Sequence, residues 1–202
     1  MTPKELRRAT LAVRDALPAT ERRAKSAAIA ERLLARPEIT NSEHILLYVS
    51  FRSEVETVDL LPRLLATGKK VSLPFTHVKA KYLDAIPITD PEKELTPGYC
   101  GIPEPCSEAR KTITPPEVID AIILPGSVFD LRGGRFGYGG GFYDRYAAGA
   151  PRAWRIGLAF DLQIVPEAPL QPHDELLDLV ITESRVITGK RGHATVATVT
   201  GQ

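Results

Sequence analysis

A chain of 202 residues with 43% hydrophobic content is long enough to bury one good core. Its 26 Lys and Arg against 25 Asp and Glu leave a net charge of +1, which argues against the broad basic field of a general nucleic-acid binder, so any anion site must be local. The charged N-terminus carries no apolar run fit for a signal peptide or a membrane span, and the expectation is a cytoplasmic protein with no membrane partner.

The first element, "TPKELRRATLAVRDAL", reads as a helix opened by a capping box between Thr2 and Glu5, with Pro3 at the first helical position. Leu6, Ala9, Val13, Ala16 and Leu17 form the expected apolar stripe, and Lys4, Arg7, Arg8 and Arg14 the expected solvated cationic face. A second amphipathic helix follows from Thr20 to Ala35, and His44 to Val49 is a short apolar run suited to a buried strand. Thr57 to Thr67 looks helical, with Pro62 either kinking it or sitting in an early turn. "KKVSLPF", "YLDAIPI", "AIILP", "RIGLAF" and "LLDLVIT" read as strands.

Strands alternating with helices indicate an α/β fold: a single three-layer domain over residues 1–188, with a largely parallel, Rossmann-like sheet flanked by helices. Ligand sites of such sheets lie beyond the carboxyl ends of the strands. The tail 189–202 lacks core-building periodicity and reads as flexible. Cys100 and Cys106 have no neighbouring His pair to complete a zinc site and read as reduced thiols.

Between "AIILP" and "RIGLAF" lies "GGRFGYGGGFYDRY", Gly133 to Tyr146. The spacing is neither a dinucleotide fingerprint nor a Walker A loop, because Phe142 and Tyr143 stand where the latter needs Lys and Ser or Thr. Consecutive amides free of side chains can nonetheless cup an anion. Phosphate is the obvious guest: Arg135 offers a forked cationic contact, Asp144 a ligand for Mg²⁺, and Tyr138, Phe142, Tyr143 and Tyr146 flat surfaces for a planar ring. A glycine-rich hairpin with aromatic packing is the structural alternative.

The stretch "PGSVFDLRGGRFGYGGGFYDRY" resembles the signature of the 5-formyltetrahydrofolate cyclo-ligase family, close to P-G-x-x-F-D-x-x-G-x-R-L-G-x-G-x-G-Y-Y-D-R. Pro125, Gly126, Phe129, Asp130, Gly133, Arg135, Gly137, Gly139, Gly141, Tyr143, Asp144 and Arg145 match, and Phe136 and Phe142 replace Leu and Tyr. "SEVETVDLL", "LTPGYCGIPEP", "IGLAFDLQIV" and "HDELLDLVITE" resemble further family segments, so the likeness covers about residues 4 to 187.

The resemblance implies an enzyme that closes 5-formyltetrahydrofolate to 5,10-methenyltetrahydrofolate with ATP and Mg²⁺, releasing ADP and phosphate. By the same resemblance Arg135, Gly137, Gly139, Gly140, Gly141 and Tyr143 meet the triphosphate, and Arg135, Tyr143 and Asp144 carry the catalytic roles. Asp144 and Asp178 go to the metal, and Glu54, Tyr138 and Phe142 to the folate. The family's K-x-x-L-R falls on the first helix, where Pro3 occupies the Lys position; Lys4, Arg7 and Arg8 are the nucleotide candidates, Arg7 foremost. Leu176 replaces a frequent Pro near Asp178, Val55 and Thr57 read as structural, and His173 reads as a loop stabiliser. The implied partners are the folate and ATP, with no nucleic acid, in a monomer or weak homo-oligomer. The alternative is a paralogue that binds ATP or a folate but acts on another substrate or on none.

Overall fold

The computed structural model describes residues 1–98, 101–170 and 176–191. Three helices lead the chain, α1 (Pro3–Asp15), α2 (Ala19–Leu34) and α3 (Pro37–Thr40), followed by β1 (His44–Leu47), α4 (Leu60–Ala66), β2 (Lys70–His77) and β3 (Tyr82–Ile88). After α5 (Pro91–Glu94) come the short strands β4 (Leu95–Pro97) and β5 (Pro103–Pro105). The second half holds β6 (Ala121–Leu124), β7 (Val128–Asp130), β8 (Arg135–Phe136), α6 (Phe142–Ala148), β9 (Trp154–Leu158), β10 (Ile164–Val165), β11 (Leu179–Ile181) and β12 (Val186–Thr188).

Seven strands form the main sheet in the order β12-β11-β9-β6-β1-β2-β3. The five central strands run parallel, and β12 and β3 pair antiparallel at the two edges. The alternating helices and strands of the sequence thus give the expected largely parallel sheet.

Alternate residues of the central strands feed two cores, so both faces are covered and the strands read as continuous apolar runs. On one face Ile45, Leu47 and Ile123 pack with Ile29 and Leu33 of α2 and Leu60, Leu61 and Leu64 of α4. On the other, Leu46, Ile122 and Leu124 meet Tyr146 and Ala147 of α6. Each fully buried aliphatic side chain contributes about 1.5–3 kcal/mol, so these layers fix the sheet on which the loops sit.

Pro62 lies in the first turn of α4, where its missing N–H removes no helical bond. The capping box of α1 forms as expected, Thr2 Oγ1 accepting from the Glu5 amide at 3.2 Å and Glu5 accepting from the Thr2 amide at 2.8 Å. Its buried face does not follow the apolar stripe: Thr10 and Arg14 are buried, Arg7 and Leu17 half-buried, and Val13 is 56% exposed. Polar partners on the body draw the helix in on that side, and Arg14 is no solvated cation.

β7 and β8, in the segment from Pro125 to Phe136, join β10 in a second, small sheet of order β10-β7-β8. Gly189 and Lys190 donate to the carbonyls of Asp178 and Arg132, and Arg191 binds Asp178, which ties the first three residues of the expected tail to the body. The rest of that tail, with Cys100, His173 and Asp174, lies outside the described residues, and Cys106 is a free thiol. No described helix is long and apolar enough to cross a membrane.

Candidate active site

Strand β1 has β2 on one side and β6 on the other, so the chain changes direction across the sheet between β1 and β6. The crevice beyond the carboxyl ends of two such strands is where open α/β sheets bind ligands. Two segments leave the sheet there: Tyr48 to Thr57 after β1, and Pro125 onward after β6.

The second segment is braced from within. Asp130, fully buried, accepts from the amides of Arg132 and Gly134 through Oδ1, both at 2.8 Å. Its Oδ2 accepts from the Ala168 amide at 2.9 Å and from Arg132 Nη2 at 2.8 Å. Although burial alone would raise it, the Ala168 amide, the Arg132 side chain and the other backbone donors hold this carboxyl below its usual range. Gly133 takes φ +87° with its Cα against Leu177, where a Cβ would lie 2.6 Å from a backbone oxygen. The turn therefore delivers Arg135 and the glycine loop to the crevice in one geometry.

A cavity of about 630 Å³ opens there, lined by Gly137, Gly139, Gly140 and Gly141 and by four guanidinium groups, Arg7, Arg135, Arg145 and Arg155, against one carboxylate, Asp144. Gly139 (φ +93°) and Gly141 (φ +62°) are left-handed, and among the described residues the amides of Gly139, Gly140 and Gly141 have no backbone acceptor. A Cβ added at Gly137 would lie 3.0 Å from Arg135 Nη1, at Gly139 3.7 Å from Arg7 Nη1, and at Gly141 2.9 Å from Arg145 Nη1. Bare backbone and cations thus share one surface, as an anion site requires.

The cations are placed by packing. The Arg7 guanidinium lies 4.2 Å from the Phe136 ring centroid and its buried Nε lacks a hydrogen-bond partner. Arg135 donates to the Pro125 carbonyl at 3.1 Å and to Asp144. Arg155 donates to the Ala147 carbonyl at 2.9 Å, and burial, helped by neighbouring Arg191, lowers it to about 10, so it remains charged at neutral pH.

The first segment supplies Glu54, 7% exposed, whose carboxylate accepts from the Phe51 amide at 2.8 Å. Burial raises this carboxyl despite the nearby Tyr138 hydroxyl, the Phe51 amide and the Arg14 charge. Tyr143 and Tyr138 are also pushed up, by burial first and then by the Glu54 charge. Tyr48, Val55 and Thr57 carry the loop: the Tyr48 hydroxyl donates to the Val55 carbonyl and the Thr57 hydroxyl to the Tyr48 carbonyl.

The structure brings Arg7, the glycines, Arg135, Tyr138, Phe142, Tyr143 and Asp144 into one cavity wall, while Glu54 lies outside that lining, in the loop after β1. Lys4 is exposed outside it, and Arg8 lies on another face of α1 beside Met1, Glu5 and Ala9. Asp144 is 58% exposed in the opening, where a Mg²⁺ ion that takes one carboxylate plus phosphate oxygens fits its donor set. Asp178 is 5% exposed, accepts from the Arg155 amide at 2.8 Å and from Arg191 at 2.9 Å, and does not line the cavity. Among the described residues no group of three His, Cys, Asp or Glu forms a metal cage. Arg155, Arg14 and Gln163, which donates to the Gly126 and Ser127 carbonyls, escaped the sequence reading, since each sits in a helix or strand pattern that states nothing of where its side chain ends.

Comparison with known proteins adds an independent line. The model of the 5-formyltetrahydrofolate cyclo-ligase family matches residues 2–183. The 5-formyltetrahydrofolate cyclo-ligase of Mus musculus is 30% identical over 176 residues, covering 83% of this chain and 87% of that protein. That of Escherichia coli K12 is 31% identical over 163 residues, covering 78% and 87%. The NMR structure of 5,10-methenyltetrahydrofolate synthetase from Aquifex aeolicus superposes with a TM-score of 0.82 at 29% identity over the whole of both chains. With the cavity, its glycine loop and the matched span in agreement, the chain belongs to the 5-formyltetrahydrofolate cyclo-ligase family.

Proposed function

We propose that the chain closes 5-formyltetrahydrofolate to 5,10-methenyltetrahydrofolate at the expense of ATP, with Mg²⁺. A formamide carbonyl is a poor electrophile and its oxygen a poor leaving group. Transfer of the γ-phosphoryl to the formyl oxygen turns that oxygen into a phosphate ester, N10 attacks the carbon, and the C–O bond breaks to release phosphate as the ring closes. Such phosphoryl transfer asks the protein mainly for alignment and charge neutralisation.

The observation that carries this reading is the juxtaposition of a bare glycine loop with the Arg7, Arg135 and Arg145 guanidinium groups. In this reading the amides of Gly139 to Gly141 and these cations hold the triphosphate. Asp144, at the mouth, holds Mg²⁺, which when bound offsets phosphate charge. Glu54, buried beside Tyr138, accepts hydrogen bonds from the N–H edge of the pterin, and the Tyr138 and Phe142 rings flank the folate.

Mixing the purified chain with Mg·ATP and 5-formyltetrahydrofolate should give the methenyl chromophore together with one ADP per turnover. Folate binding without that chromophore would instead identify a relative that has kept the site and lost the reaction.

A further inference from the structure

Arg14 is 3% exposed, belongs to none of the matched motifs, and holds two walls of the site at once. Its Nε donates to Ser53 Oγ at 3.0 Å, in the loop after β1. Its Nη1 donates to the Gly126 carbonyl at 3.2 Å, in the turn after β6, and to the Tyr138 hydroxyl oxygen at 2.9 Å, in the glycine run. Ser53 in turn donates to Asp15, next to Arg14 in α1.

A helix of this length is ordinarily seated by an apolar face. Of the thirteen residues of α1 only Thr10 and Arg14 are buried, and none belongs to either apolar core, so polar contacts decide where the helix lies. Arg7 and Arg14 stand seven residues apart, which is two turns and about 10 Å along one face. That face meets a single segment twice: Arg14 at Gly126 and Tyr138, and Arg7 over the Phe136 ring at 4.2 Å.

We infer that Arg14 is a positioning residue for Arg7, seating α1 over this segment so that the Arg7 guanidinium comes to rest beside Gly139. The two arginines are unequal. Arg14 spends its donors on fixed acceptors; the Gly126 carbonyl is itself held by Gln163 Nε2 at 2.9 Å. Arg7 has a buried Nε without a partner among the described residues, which is a cost, so Arg7 does not hold itself in place. The helix holds it, and Arg14 holds the helix. Arg14 does not line the cavity and acts only through what it fastens. Arg7 does line it, with Nη1 3.7 Å from where a Cβ on Gly139 would lie, and its open donors beside bare glycine backbone suit phosphate oxygens.

The value of Arg7 to ATP rests on the cyclo-ligase reading, but its seat is measurable without any nucleotide. With ¹⁵N-labelled arginine, the Arg7 side-chain signal, assigned by its loss in Arg7→Lys, should carry the upfield displacement that a ring face imposes on protons above it. Arg14→Met should remove most of that displacement while circular dichroism shows a folded chain. Arg14→Lys keeps the charge but, as a point donor, cannot span Ser53 and the Gly126 and Tyr138 oxygens together, and should lie between wild type and Arg14→Met. Calorimetry with Mg·ATP supplies the second readout. Arg7→Met and Arg14→Met should each weaken binding about tenfold, and the double variant about tenfold as well, where independent sites would give about a hundredfold. An Arg7 signal unmoved in Arg14→Met, or in Arg14→Lys should the former not fold, overturns the inference, and so do losses of ATP affinity that multiply. If the unaltered chain binds no Mg·ATP, the proposed reaction falls and the Arg7 signal alone decides the seat of α1.

Discussion

Arg135 and Asp144 face each other at the mouth of the cavity, Nη2 lying 2.5 Å from Oδ1, with the guanidinium side chain 7% exposed and the carboxylate 58%. The pair is asymmetric: one partner is locked under the glycine loop, and the other can exchange its contact for solvent or a cation. An exposed ion pair of this kind contributes about 0–1 kcal/mol to stability.

Asp144→Asn should therefore leave the melting temperature within about 4 °C of wild type. Turnover should fall on the order of 100-fold, the cost of losing a metal contact at a transferring phosphoryl group. A Mg²⁺ titration at saturating ATP, run beside thermal unfolding, checks both; equal activity in the two proteins would remove Asp144 from the metal.

Asp130, fourteen positions earlier in the same motif, should behave in the opposite way. Asp130→Ala leaves the Arg132 and Gly134 amides and a guanidinium without their acceptor and should cost about 3 kcal/mol or more, read from urea unfolding. Because the folded carboxyl is held below its unfolded value, it binds fewer protons when folded. Its contribution is present above the unfolded value and lost as pH falls through the folded one. Acid unfolding of the variant should accordingly lose part of the wild-type pH dependence.

Glu54 carries the reverse sign. Its carboxyl is raised in the fold, so the native state binds more protons than the unfolded chain as pH rises past the ordinary Glu value, and stability declines through that window. Glu54→Gln should flatten this decline above the ordinary Glu value in thermal melts while raising the KM for the folate at least about tenfold. A variant both less stable at neutral pH and normal in folate affinity would contradict the site.

Gly139→Val should weaken ATP binding more than about tenfold, measured by calorimetry. The position has φ +93°, which costs a branched residue about 1–2 kcal/mol, and its Cβ would point at the Arg7 guanidinium across the space offered to phosphate. The loop is exposed, so circular dichroism should remain native. ATP affinity equal to wild type would argue against the amide cradle.

Period and turn chemistry made the main sheet readable. "AIILP" and "YLDAIPI" are short apolar runs between breakers, and both appear as strands at those places. The motif made the cavity wall readable because bare glycines with Arg and Asp have few physical uses. What stayed hidden was directional. A helical wheel cannot show that Arg14 finds three acceptors on the body while Val13 finds none, and so the apolar stripe of α1 was the wrong face. Nor can spacing show β7 and β8, whose pairing is set by Asp130 gripping the turn between them.

The polar seam under α1 sets this thirteen-residue rod apart from the sheet it rests on. Apolar layers weaken on cooling because their burial is driven by water, whereas donor–acceptor fastenings do not share that signature. Guanidinium chloride supplies a small mimic of the very groups that clasp α1, and so should prise this helix away at lower concentration than it melts the interior. Urea, which carries no charge, should show a narrower gap between the two events.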